Sequence, residues 1–253
     1  MSCVIARAGA ALCAAVVYGS GLAFAPAAHG QWARPEDDRM TITALSWHRL
    51  DSDQGRADLV KEEVSVYGEY GFTDRITLIG RAAVQAIRET GPARRRVGLV
   101  DGVETDMLEP PRRAFGIGGV ELGARYEVRR AGPWVIAAQG VFGVPGSGEN
   151  QINARFGEGG GDTDLRLQAG RSLGGRGFLA VSGGWRDRRG RSRDEIRLDL
   201  TGGRALGRGV HVFVQSYSVV SVGAGGAGEA AYHGHRLQVS VLAPVTRRAR
   251  LQL

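Results

Sequence analysis

The sequence predicts an all-β fold, an antiparallel up-and-down transmembrane β-barrel of about twelve strands. Three observations predict it. Segment after segment alternates polar and apolar residues at the period of a strand. The segments have the length that crosses a membrane, about 9–11 residues, rather than the ~5–6 of ordinary strands. Tight glycine-rich turns alternate with long joins, the asymmetry of outer-membrane barrels.

Residues 1–30 read as a signal peptide and 31–253 as the barrel. Arg7 opens the segment, an apolar stretch runs from Ala8 to Ala28, and Ala28-His29-Gly30 puts small residues where a signal peptidase cuts, before Gln31. Ala23-Phe24-Ala25 is a rival site, opposed by Pro26, and an uncleaved N-terminal anchor is the other reading. Leu12 before Cys13 is too bulky for a lipoprotein signal. Both cysteines, Cys3 and Cys13, lie in this segment, so the mature chain has none. That excludes disulfides, thiolate metal sites and a cysteine nucleophile. No later run of about 18 apolar residues occurs to form a spanning helix.

The strands follow in order: 40–50, 63–71, 76–88, 118–130, 134–144, 162–171, 178–186, 194–204, 209–222, 235–243 and a stub from Ala249. In Asp162-Thr-Asp-Leu-Arg-Leu-Gln-Ala169 the polar set Asp162, Asp164, Arg166 and Gln168 separates fully from Leu165, Leu167 and Ala169. Glu195, Arg197 and Asp199 separate likewise from Ile196, Leu198 and Leu200. Eleven is an odd count, and bacterial single-chain barrels have even ones. The sequence is therefore read as a twelve-stranded design whose last strand is missing, with ten strands and a tail as the alternative. Tight turns fall at 71–74, 130–133, 173–177, 206–209 and 244–247, and longer joins at 51–60, 89–114, 146–161 and 223–232, with a shorter one at 187–193.

Period two alone also suits a soluble sandwich, whose polar face meets water. In a barrel the apolar face meets lipid and the polar face lines the lumen. Strand length and turn pattern favour the barrel. The expected lumen then holds Glu63, Glu69, Arg81, Glu121, Arg125, Glu127, Asp162, Asp164, Arg166, Glu195, Arg197, Asp199 and Arg236. Both signs are mixed, so no ring of one sign argues for ion selectivity.

The segment Glu63-Val-Ser-Val-Tyr-Gly-Glu-Tyr-Gly-Phe-Thr-Asp-Arg-Ile-Thr-Leu78 resembles the Glu-Tyr-Gly-Leu-Thr-Asp-Arg-Leu-Thr-Leu hairpin of a group of proteobacterial outer-membrane β-barrels. The group is related to the meta-pathway phenol-degradation protein family and is described as transporters. One hairpin matches closely, with Phe72 where Leu is usual; the rest, including Gly119-Val-Glu-Leu-Gly-Ala-Arg-Tyr126, matches by pattern. The resemblance implies a barrel that passes small hydrophobic or aromatic compounds, and it carries no catalytic residues to transfer.

Tyr67, Tyr70, Phe72, Trp134 and Phe178 are expected in an aromatic girdle at the periplasmic rim. Lys61 is the sole lysine among 33 basic residues. The arginines cluster in joins assigned to the outer side: Arg94, Arg95 and Arg96, then Arg188, Arg189 and Arg191. The planar guanidinium fork suits phosphate, which makes lipopolysaccharide and anionic solutes the expected partners of these loops. Export and the lack of a nucleic-acid-binding motif exclude nucleic acid.

Chemistry is thin. His48 and His211 sit on strands with no visible partner, and His233-Gly-His235 supplies two ligands where a metal site needs more. The sequence holds no His-x-Ser arrangement of the kind expected of a barrel lipase. Gly157–Leu165 is one copy of something like a calcium nonapeptide that works only in repeats. The inventory implies no enzyme, metal or cofactor. Two functions stand: a small-solute channel or transporter in the outer membrane of a Gram-negative bacterium, and a structural or adhesive protein acting through its long loops. The 40 glycines, an excess for 253 residues, fit turns and strand curvature in a closed sheet.

Overall fold

The computed structural model describes residues 12–20, 33–50, 58–90, 94–100, 103–109, 111–152, 156, 161–174, 177–189, 192–226, 230–246 and 249–252; at 12–20, 50, 58, 94–100 and 103–109 it describes the backbone alone. These residues form fifteen strands. They are β1 (Leu12–Ser20), β2 (Arg39–Leu50), β3 (Asp58–Thr73), β4 (Ile76–Thr90), β5 (Arg94–Val100), β6 (Val103–Glu109), β7 (Arg113–Ala131) and β8 (Trp134–Val144). There follow β9 (Ser147–Asn150), β10 (Asp162–Ser172), β11 (Gly177–Arg188), β12 (Asp194–Gly207), β13 (Val210–Val222), β14 (His233–Pro244) and β15 (Ala249–Gln252).

Twelve of them close into one antiparallel ring. Its order is β1-β2-β3-β4-β7-β8-β10-β11-β12-β13-β14-β15, with β15 paired back onto β1 and the β4–β7 pairing sealing the far side. The fold is all-β, and the sheet is that of an up-and-down barrel. Ten of the eleven expected strands appear, β3 and β7 beginning five residues earlier than expected and the others within three residues of their expected bounds, and the stub from Ala249 is β15. The twelfth place is filled from the N-terminal end: Leu12–Ser20, within the segment read as a leader, pairs with β2 over its whole length and with β15 at Ala15–Tyr18.

Two joins hold structure the periodicity did not reveal. The 89–114 join contains the hairpin β5–β6, whose strands are linked by Asp101-Gly102, a sequence that favours a two-residue turn. In the 146–161 join, β9 extends the sheet along β7 beyond the end of β8. Phe156 from the same join folds onto Ile87 and Ala114 inside the wall.

The wall is inside-out relative to a soluble protein. On β10, Asp162, Asp164 and Gln168 are buried, while Leu165 and Leu167 are 52% and 68% exposed. Leu122, Leu237 and Val239 are exposed in the same way. On β7, β10, β11 and β12 the ring thus turns Arg125, Asp162, Asp164, Arg186, Glu195 and Asp199 inward and most large apolar side chains outward. Exposed aromatics stand at two levels on part of the outside, on β2, β3, β7, β8 and β11. Phe72, Tyr126 and Trp134 lie toward the tight turns, and Trp47, Phe115, Phe142 and Trp185 toward the long joins. Arg171 caps the Trp134 ring at 5.2 Å. Trp47 stands opposite Glu62, ten residues from Phe72 along β3. Ten residues span ~34 Å of strand, or about 26 Å of height at a tilt of ~40°.

Two expected girdle residues point the other way. Tyr67 lies on the inward set of β3 and donates its hydroxyl to Glu69. Phe178 is 3% exposed and packs on Phe213 inside the barrel. A residue's face follows its strand parity, and both stand on the inward parity of their strands.

Candidate functional site

The lumen carries two polar assemblies. The first lies at the end of the tight turns. Residues 33–38 precede β2, with Ala33 and Arg34 inside the barrel and residues 35–37 exposed. Arg34 donates its backbone N–H to Thr77 Oγ1 at 2.7 Å, and Thr77 is fully buried on the inward face of β4. The Arg34 guanidinium meets Glu69 at 2.7 Å and Asp38 at 2.8 Å. Glu69 in turn accepts from Arg125 at 2.9 Å and from the Tyr67 hydroxyl at 2.6 Å. Arg125 continues to Gln139 at 3.1 Å, and Gln139 accepts from Gln168. Arg34 was not anticipated as a lumen residue, because it lies outside any strand and carries no periodicity to place it.

The second assembly is a ribbon of alternating charge across β3, β4, β7, β10, β11 and β12, toward the long joins. It runs Lys61–Glu63 (3.2 Å), Glu63–Arg81 (3.1 Å), Arg81–Glu121 (3.7 Å), Glu121–Arg186 (3.9 Å) and Arg186–Asp162 (2.8 Å). It continues through Asp162–Arg188 (3.9 Å), Arg188–Glu195 (2.9 Å), Glu195–Arg197 (3.1 Å) and Arg197–Asp164 (3.1 Å). Asp164–Arg166 (2.7 Å) and a contact from Arg166 to Asp199 end it. Its six cations and six anions sum to zero. Each buried charge is held by an opposite one, which is the condition for keeping charges out of water. A small cavity of about 60 Å³ lies against the ribbon, lined by Lys61, Glu63, Arg81, Glu121, Asp162 and Arg186 among others.

The expected lumen residues therefore fall into place as follows. Glu69 and Arg125 belong to the turn-side cluster. Glu63, Arg81, Glu121, Asp162, Asp164, Arg166, Glu195, Arg197 and Asp199 belong to the ribbon. Glu127 is buried near the turn rim and binds Arg130 at 2.6 Å. Arg236 has no ion pair among the described residues; its guanidinium lies 4.9 Å over the Tyr217 ring. Gln85, Ser182 and Gln168 are further buried polar residues on the inward parity. Alternation marked Gln168, and Ser182 was hidden among glycines. The buried Gln168 Oε1 and Ser182 Oγ find no partner among the described residues.

The arginine loops divide. Arg188 was expected to face lipopolysaccharide and does not: its guanidinium turns into the lumen to Glu195 and to the Tyr232 hydroxyl at 3.0 Å. The nearby carboxylates draw it inward. Arg189 stays outside, exposed, with its guanidinium 5.8 Å over the Phe142 ring. Arg94, Arg95 and Arg96 lie on β5, with side chains outside the described ones, and Arg191 is outside the described residues. Tyr232, in the join before β14, donates its hydroxyl to Glu195, and burial together with that carboxylate raises its pKa above the ordinary tyrosine range. His235 Nδ1 lies 2.9 Å from Ser218 Oγ on the outer surface, and His211 stands beside Phe213.

Neither protein-family models nor curated protein sequences match this chain.

Proposed function

We propose that the chain is an outer-membrane β-barrel of a Gram-negative bacterium that passes or binds small solutes through its lumen. The observation that carries the reading is the inside-out wall: an apolar exterior, with exposed aromatics toward both ends of its strands, around a charged interior. Water on the outer face would leave that apolar surface unburied, whereas lipid solvates it. The pocket beside the ribbon offers a solute polar contacts without net charge. The resemblance of residues 63–78 to transporter-type barrels points the same way.

A second reading rests on the ribbon itself. Ion pairs that knit β3 through β12 stiffen the cylinder, as a structural or loop-presenting barrel would need. Conductance of refolded protein in planar bilayers separates the two. Discrete channel events, or swelling of solute-loaded liposomes, are expected for the channel; their absence leaves the structural reading. A heat-modifiable gel shift is expected under both, and its absence removes the membrane barrel altogether.

A further inference from the structure

The hairpin motif Glu69-Tyr-Gly-Phe-Thr-Asp74 does more than turn the chain. Four of its residues, Glu69, Tyr70, Gly71 and Asp74, are engaged by residues 33–38. Glu69 holds the Arg34 guanidinium. Tyr70 donates its hydroxyl to Asp37 Oδ1 at 2.7 Å. Asp74 Oδ1 accepts the Glu36 N–H at 3.2 Å. Gly71 exchanges backbone hydrogen bonds with the segment in both directions: Asp37 N–H to the Gly71 carbonyl, and Gly71 N–H to the Asp38 carbonyl, each 2.9 Å. The segment is itself shaped to fit. The Asp38 N–H closes a turn onto the Pro35 carbonyl at 3.1 Å, with Asp37 at φ 62°. Aspartate tolerates that left-handed backbone.

We infer that residues 33–38 are a strap that closes the turn-side mouth of the lumen, pinned by Arg34 on Glu69, and that its release opens the passage. The inference rests on the channel reading above. Its support is positional. Ala33 and Arg34 lie inside the ring rather than along its rim, since Arg34 bonds an inward side chain of β4. Pro35, Glu36 and Asp37 are exposed, so the strap is reachable from outside the mouth. Apart from those of Arg34 and of the buried Gly71, the attachments are surface hydrogen bonds, each of modest net strength. Such a segment is held by one buried ion pair, the Arg34 N–H on Thr77 and the two Gly71 bonds, all separate from the ladder hydrogen bonds within the ring.

Two substitutions release it by independent means. Gly71→Ala puts a methyl where the Pro35 carbonyl oxygen lies, and Arg34→Ala removes the pin. A nitroxide attached through Glu36→Cys, in a chain with Cys3 and Cys13 replaced by Ser, reports the strap by its mobility. Single-channel recording in planar bilayers reports the lumen. The expected result is an immobile label and low conductance in the parent, and a mobile label with conductance raised several-fold in both variants. A mobile label with unchanged conductance overturns the strap as a gate while leaving the channel standing. A label that stays immobile in both variants overturns Arg34 and Gly71 as what holds it. Absence of conductance in every variant, released ones included, overturns the channel reading and the gate with it.

Discussion

Gly71 and Pro35 meet where a side chain would otherwise be: a Cβ on Gly71 would lie 1.9 Å from the Pro35 carbonyl oxygen. Gly71 is thus kept small by a neighbour 36 positions earlier in the chain, not by the turn it sits beside. This contact brings Arg34 onto Glu69, and it makes the mouth of the barrel depend on a segment outside the ring.

Glu69 is the residue on which that end of the lumen turns. It receives Arg34, Arg125 and Tyr67 together, and its side chain is 7% exposed. Glu69→Ala leaves two guanidinium groups facing a buried space with one carboxylate fewer. Removing one partner of a buried pair costs about 3–5 kcal/mol, because the survivor stays unneutralised. Urea unfolding of the barrel in lipid vesicles should show that loss. Glu69→Ala combined with Arg34→Ala should recover part of it, since one of the two guanidinium groups that Glu69 held is gone.

The exterior makes a sharper demand. Leu167 sits mid-strand on β10 and is 68% exposed. On a water-facing sheet an exposed Leu→Arg change stays within about ±0.5 kcal/mol. At a bilayer midplane it costs about 2–4 kcal/mol. Reversible unfolding of Leu167→Arg from phospholipid vesicles is expected to show the larger loss. A loss within the smaller range would place this face in water and end the membrane reading.

Much of this was legible beforehand, for a physical reason. Strand parity is a local property, so Asp162, Asp164 and Arg166 declared their face without any structure, and so did Leu165 and Leu167. The even strand count came from closure. Legibility stopped where a position is set by a distant partner. Arg34 lies in no strand, and its place is fixed by Thr77 and Glu69. Arg188 has the sequence surroundings of a loop arginine and is turned inward by Glu195 and Asp162. The hairpin β5–β6 was passed over although Asp101-Gly102 marks it, because strongly charged flanks hid the alternation. Tyr67 and Phe178 were assigned by residue type when their parity already placed them inside.

The inward turn of Arg188 separates two neighbouring arginines that the sequence treats alike. Arg189→Ala should weaken lipopolysaccharide binding, measured by co-sedimentation with lipopolysaccharide aggregates, and leave the unfolding midpoint unchanged. Arg188→Ala should do the reverse, since it strips Glu195 of one buried cation and leaves the outer surface as it was. Equal effects of the two on binding would mean that Arg188 also reaches the outer leaflet.

The seam between β2 and β15 offers the last test. Leu12–Ser20 fills it, with Val17 in register with Ile42 on one side and Arg250 on the other. Directly opposed residues in an antiparallel pair stand ~4.5–5.5 Å apart at Cα, within the ~4.4–6.8 Å that a disulfide bridges. In a chain with Cys3 and Cys13 replaced by Ser, Val17→Cys and Ile42→Cys are expected to cross-link on oxidation when the full chain is refolded. The control pair Val17→Cys with Gln238→Cys, two strands away on β14, is not. Efficient export with removal of residues 1–30 would eliminate the cross-link from the mature protein. The β2 edge from Arg39 to Leu50 would then lack its β1 partner, and twelve-membered closure would need another strand antiparallel to both β2 and β15. Mass spectrometry of the protein recovered from outer membranes distinguishes the two states directly, through the presence or absence of the Val17 peptide.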